Sequence, residues 1–205
     1  MLILGLDPGS VCTGYGLIDA SLSRLVWRAS GMLRPPRGRP LPERLHYLHA
    51  GLQRILDDVH PQAVALEESF VGEHSRSALV LGQARGALIV AVMAAGLPLF
   101  EYAPRLVKLA VTGAGGAGKE QVRTMIDRLL EGVPRGLPLD VTDALALAVC
   151  HAHRCAEPCG VARTGVARAG VAGRGAARAA GGACLLARPG GDSAGEGPGG
   201  SRRGT

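Results

Sequence analysis

Hydrophobic positions along the 205-residue chain change their period several times, and each change predicts an element. Residues 2–6 read Leu-Ile-Leu-Gly-Leu, a short buried strand that ends on Asp7, with Pro8-Gly9-Ser10 as the turn. Residues 12–19 and 24–32 predict two further strands of a meander. The run Arg34-Pro-Pro-Arg-Gly-Arg-Pro predicts a loop, because proline removes a ladder donor and blocks a helix. Leu45, Leu48, Leu52, Ile55 and Leu56 recur at helical spacing, which predicts an amphipathic helix over 42–58. Residues 63–66 predict a buried strand ending on Glu67, and 76–95 a long helix, apolar around much of its girth and closed by Gly96. A strand over 97–102, a helix opened by Pro104, a glycine loop over 113–118 and helices over 119–131 and 140–153 complete the pattern. A meander followed by alternating helices and strands predicts an α/β fold with a mixed sheet flanked by helices.

Beyond residue 155 the periodicity stops. Gly160-Val-Ala-Arg-Thr, Gly165-Val-Ala-Arg-Ala and Gly170-Val-Ala-Gly-Arg repeat every five residues and offer no large apolar face. Such a segment cannot offset its own ordering entropy. The expectation is a folded domain over 1–155 and a disordered Gly/Ala/Arg-rich tail over 156–205. This division changes the meaning of the net charge of +6, since the tail holds seven of the 23 Lys+Arg and three of the 17 Asp+Glu. The remaining 16 basic and 14 acidic side chains nearly balance, so the overall basicity alone is a poor argument for nucleic-acid binding.

Five cysteines (12, 150, 155, 159 and 184) form no paired framework, and no basic-then-apolar leader opens the chain, so a reducing cytoplasm is expected. The longest charge-free apolar run, over 87–97, is shorter than the roughly 20 residues a bilayer requires, so no membrane role is expected.

Candidate chemistry lies in acids placed where apolar elements end or begin. Asp7 closes the first strand and Glu67 the fourth, while Asp140 and Asp143, at i, i+3, share one face of the last helix. In an open α/β sheet functional groups gather at strand ends, so the four could converge if the strands are neighbours. Clustered carboxylates repel one another unless a cation joins them, and hard divalent ions are the usual answer. Two such ions can clamp the attacking and leaving oxygens of a phosphodiester. Each acid also has an ordinary role: Asp7 as a turn former, Glu67 as a solvated strand end, Asp140 as an N-cap, Asp143 as a first-turn acid. Spacing does not choose between these.

Longer strings carry more. Leu4-Gly-Leu-Asp-Pro-Gly-Ser, Thr13-Gly-Tyr-Gly, Leu66-Glu-Glu-Ser-Phe, Leu81-Gly-Gln-Ala-Arg-Gly-Ala and Asp140-Val-Thr-Asp-Ala-Leu-Ala-Leu-Ala resemble the RuvC family of bacterial Holliday-junction resolvases. Phe100-Glu-Tyr-Ala and the Lys119-Glu-Gln-Val segment extend the resemblance colinearly from residue 1 to about 154. It implies an RNase H-like fold, a homodimer, and resolution of four-way DNA junctions by paired nicks that leave 5′-phosphate and 3′-hydroxyl ends. It further implies Asp7, Glu67, Asp140 and Asp143 as ligands of two Mg²⁺ ions, with Mn²⁺ as a substitute. Lys108 and Lys119 match lysines near the cleaved backbone, and Phe70 an aromatic that stacks on a base at the opened junction. A branch-migration motor is the implied protein partner. Arg76 and the loop residues Arg34, Arg37 and Arg39 are expected DNA contacts, the loop serving equally well as plain solvated surface. Glu67 and Glu68 point to opposite faces of a strand, so at most one reaches the metals.

Three other classes compete. Gly113-Ala-Gly-Gly-Ala-Gly-Lys119 begins like a P-loop, but Glu120 stands where Ser or Thr should bind Mg²⁺. An actin- or sugar-kinase-like ATPase shares the strand-Asp-x-Gly-Ser turn but needs a second such loop and a second domain. A non-catalytic junction binder would not need all four carboxylates. His151, His153, Cys155 and Cys159 match no common zinc template, and Cys12 and Cys150 read as small buried hydrophobes.

Overall fold

Alternation along each strand decides which side of the sheet its side chains serve. In the computed structural model, which describes residues 1–9, 11–21, 23–68 and 75–156 and omits the side chains of 75 and 76, β1 (Leu2–Asp7) lies at the centre. It pairs antiparallel with β2 (Thr13–Ala20), which pairs antiparallel with β3 (Leu25–Leu33). On its other edge β1 runs parallel to β4 (Ala63–Glu67), and β4 parallel to β5 (Leu99–Tyr102). The order β3-β2-β1-β4-β5 is the mixed five-stranded sheet expected, with the strand senses of an RNase H-like fold.

Leu4, Leu6, Leu17, Val64 and Leu66 face α1 (Leu41–Val59) and α2 (Ser75–Ala94), whose Leu48, Leu52, Leu56, Ala84 and Leu88 complete that core. Ile3, Ile18 and Ala65 face α3 (Pro104–Thr112), α4 (Lys119–Leu129) and α5 (Leu139–Ala156). Each large apolar side chain so enclosed contributes about 1.5–3 kcal/mol relative to exposure.

The chain ends its elements by local chemistry. Pro42 occupies the first turn of α1, where no N–H is needed, and His60 closes that helix in the left-handed region at φ 47°. Gly96 closes α2 at φ 69°, donating its N–H to the Met93 carbonyl. The strand expected from residue 97 begins at Leu99, because Pro98 has no N–H and joins the ladder only by accepting from the Val64 N–H.

The helix α5 lies flat on the sheet. Residues 144–152 of it are all buried, and Cβ atoms built on Gly5 of β1 and Gly14 of β2 would fall on the backbone of Ala144 and Asp140. Two glycines therefore set how closely the first turn of α5 approaches the end of β1.

The window Ser77–Ala94 of α2 is long and apolar enough to cross a membrane, more than the charge-free run over 87–97 suggests. Its packing gives it a different task. Ala84, Leu88, Ala91 and Val92 are buried against the sheet and α1, and Arg85, mid-helix, pairs with Glu101 of β5. Leu79, Val90 and Met93, on the opposite stripe, are exposed by 63%, 59% and 45%.

Phe70 and, apart from Ala156, the expected tail over 156–205 lie outside the described residues, as does the side chain of Arg76.

Candidate active site

The alternation that buries Ile3 and Ala65 under α5 also puts Asp7 and Glu67 on that face, since all four are an even number of residues apart along their strands. The parallel register pairs Leu6 with Leu66, so the two carboxylates stand side by side at adjacent strand ends. Glu68 points away: it is exposed, and its N–H donates to the Tyr102 carbonyl at 2.9 Å. Of the neighbouring pair, Glu67 is the member at the site.

The first turn of α5 brings Asp140 and Asp143 to the same place. The helix begins at Leu139, with the Val141 and Thr142 N–H groups donating to the Pro138 carbonyl. Asp140 is therefore inside the first turn and not its N-cap, which frees its carboxylate from capping. That carboxylate instead accepts from the Cys12 thiol at 3.0 Å. Cys12, expected as a buried hydrophobe, is only half-buried and is a polar neighbour of the site, whereas Cys150 is fully buried as expected.

Electrostatics shows how tightly the group is drawn together. Burial first, then the charges of Glu67, Asp143 and Asp140, push Asp7 up to about 8. Glu67 is raised by burial and by Asp143, although its hydrogen bond with Asp7 pulls the other way. Asp143 is raised chiefly by burial, with Lys119 opposing. Lys119 Nζ stands 3.5 Å from Asp143 Oδ2, and Lys108 acts on both Glu67 and Asp143. Five expected residues thus come together, Asp7, Glu67, Asp140, Asp143 and Lys119, and Lys108 lies near enough for its charge to act on two of them.

Lys119 owes its place to the start of α4, where the Gly118 N–H donates to Gln121 Oε1 at 2.9 Å. The glycine loop before it joins two helices, α3 and α4, whereas a P-loop follows a strand. The ATP-binding geometry is absent there.

Among the described residues, no three His, Cys, Asp or Glu side chains are arranged to hold one metal ion. Each carboxylate has found another partner: Asp7 and Glu67 bond to each other, Asp140 to Cys12 and Asp143 to Lys119. The donor set nevertheless fits a hard divalent cation. It offers only carboxylate oxygens, crowded enough to hold Asp7 protonated near neutral pH, and a cation would relieve that repulsion. Among the described residues, His151, His153 and Cys155 are not arranged to hold a metal ion. His151 is buried, held neutral by burial that brings it down to about 4, and its Nδ1 meets Tyr102 Oη at 2.6 Å. His153 Nδ1 instead faces the Ala110 carbonyl at 3.0 Å, and Cys159 lies outside the described residues.

A family model described as crossover junction endodeoxyribonuclease RuvC matches residues 3–151, a range that includes all four carboxylates and both lysines. The chain belongs to the RuvC family. A RuvC from Chlorobaculum parvum is 49% identical over 170 residues, covering 80% of this chain and 90% of that protein. One from Xanthobacter autotrophicus is 50% identical over 153 residues, covering 74% and 89%. Among solved structures, the chain is similar to Thermus thermophilus RuvC in complex with Holliday junction substrate. That match has a TM-score of 0.71 and 33% identity, and covers 76% of this chain and 95% of the other. RuvC proteins are metal-dependent DNA-cleaving hydrolases, which agrees with the oxygen-only donor set found here.

Proposed function

We propose that this RuvC protein resolves four-way DNA junctions by paired, symmetric nicks in recombination and repair, and that Asp7, Glu67, Asp140 and Asp143 hold two Mg²⁺ ions for that purpose, Mn²⁺ substituting. The observation that carries this reading is the meeting of four carboxylates from β1, β4 and α5 in a chain of this family. Bound there, the ions would activate a water and stabilise charge developing on the phosphodiester, leaving 5′-phosphate and 3′-hydroxyl ends.

The chain's own residues supply the rest. Glu67 and Asp7, fixed on rigid strands, and Asp140 and Asp143, fixed on a helix seated against Gly5 and Gly14, preorganise the acids. Asp140 and Asp143, which contact Cys12 and Lys119 here, would be the α5 residues to hold such a cation. Lys119, beside Asp143, and Lys108 are the cations assigned to hold the phosphate and offset its growing charge, and the Lys119–Asp143 contact supports that reading. Phe70 is assigned to stacking on an opened base, and Arg76 to the backbone.

The protein works as a homodimer with two-fold symmetry, matching opposed strands of the junction. The stripe Leu79–Val90–Met93 of α2 supports this, and Gly82 and Gly86, open to space on the same stripe, allow a second helix close approach. A cytoplasmic location, a branch-migration motor as partner and a non-specific DNA tether in the basic residues of 156–205 complete the proposal.

The test is cutting of a synthetic mobile four-way junction against a linear duplex of matched sequence, with Mg²⁺ and with chelator. Metal-dependent paired nicks in the junction alone are expected. Equal cutting of both DNAs would defeat junction selectivity.

A further inference from the structure

We propose that a cavity of about 560 Å³ beside Asp140 seats the nucleotide next to the cleaved bond, with Arg34 and Arg37 holding its backbone phosphate. The inference rests on the junction-nuclease reading and assigns a part of the substrate to residues outside the carboxylate centre.

Gly9, Val11, Cys12, Pro35, Arg34 and Arg37 line the cavity together with Asp140, so one wall is shared with the acidic centre. Continuity is chemical as well as spatial. Asp140 accepts from the Cys12 thiol at 3.0 Å, and Arg34 in turn comes close enough to Cys12 to act on its sulfur. A DNA strand laid over the acids is repelled by them and needs cations beside them. Lys119 supplies one at Asp143, and Arg34 supplies another beyond Asp140.

The three loop arginines are not equivalent. Arg39 is spent on Glu43, four residues on, at 3.5 Å. Arg34 Nη2 lies 3.3 Å from the Met32 thioether, a neutral group that leaves its charge uncompensated. Among the described residues neither Arg34 nor Arg37 has an ion-pair partner, and both are exposed. The loop that carries them is stiff. Pro35, buried, and Pro36 restrict it on one side of the turn, Gly38 reverses it at φ 75°, and Pro40 leads into α1. Two unpaired guanidiniums on a preorganised loop suit phosphate oxygens, which accept the planar guanidinium fork in bidentate fashion. The apolar edge of Val11 and Pro35 suits the sugar and base between the phosphates.

The experiment uses the full chain, as wild type and as R34A/R37A. The substrate is a junction carrying one neutral methylphosphonate at each of three positions on either side of the cleaved phosphate. The wild type should cut roughly tenfold more slowly when one position within two nucleotides of the cut is neutral. The double variant should be slowed by a similar factor on natural DNA, yet be indifferent to neutralisation at that position. Its log–log salt slope for binding should be lower by roughly 2, about 1 for each lost contact. R34K/R37K should recover part of the rate. Losses that simply multiply at every position, or wild-type cutting by the double variant, would overturn the pocket while leaving the nuclease reading intact. No junction cutting by the wild type itself would defeat both. Both arginines are exposed, and an unchanged unfolding midpoint confirms that the variant is folded.

Discussion

Replacing Asp7 by Asn should stabilise the metal-free protein while abolishing its cutting. Asp7 is pushed up to about 8 from 3.8 by burial and by Glu67, Asp143 and Asp140. Between those values the folded state keeps a proton that the unfolded chain has released. The contribution is therefore fully present below 3.8 and is lost as the pH rises through about 8. At pH 7 the ceiling on the cost is about 4 kcal/mol, from roughly 1.4 kcal/mol per unit over about three units. Relaxation and the high effective dielectric of a half-buried site bring the expected effect to on the order of 2 kcal/mol. For a domain of this size that is a rise of about 4–8 °C in Tm. Asn preserves the shape of the side chain and removes its charge. The assay is urea unfolding of both proteins in chelator at pH 5, 6, 7 and 8. The stability difference should widen with pH and narrow again when Mg²⁺ is added, which stabilises the wild type alone. His151 acts with the opposite sign: its contribution is present above 6.5 and lost as pH falls through about 4, but both proteins share it and the difference cancels it. A variant less stable than wild type at pH 8 in chelator, or a difference flat in pH, would refute the reasoning.

Lys119→Ala should lower single-turnover junction cutting by about 10²-fold while reducing the binding salt slope by at most about 1; a rate within threefold of wild type would remove Lys119 from the reaction. Gly14→Ala places a methyl against the Asp140 backbone and lifts the first turn of α5. It should cost roughly 1–3 kcal/mol in denaturant unfolding and lose cutting out of proportion to stability, and near-normal activity would show that the close approach is not required. Val90→Asp, on the uncovered stripe of α2, should leave the fold intact and convert a dimer to a monomer in sedimentation. A variant that stays dimeric would move the interface elsewhere.

The strands and their terminal acids were legible because a period of two and a hydrophobic run ending on a carboxylate are local signals. The apolar pattern predicts β4 only to residue 66, because Glu67, its last residue, interrupts that pattern while keeping the strand's geometry. Which face Asp7 and Glu67 occupy was not readable, since it depends on where α5 docks, and α5 is apolar nearly all round. The ordinary alternative for Asp140, an N-cap, follows from the preference of Asp for caps, and it fails because the Pro138 carbonyl takes the first helical hydrogen bonds. Cys12 carried no signal at all, as its partner is 128 residues away. The Arg85–Glu101 pair was hidden for the same reason, both residues lying in strings that matched the family without revealing that they touch.

The burial of α5 has a kinetic consequence. Residues 144–152 of this helix form the centre of one core, and its first turn carries two of the four acids. Amide protons over 144–152 are expected to exchange only when the whole domain opens. The catalytic scaffold therefore has no softer intermediate of its own. Heat inactivation should track global unfolding, and any control over cutting must act through side-chain rotation at the carboxylates or through the DNA itself, because the platform beneath them does not move separately.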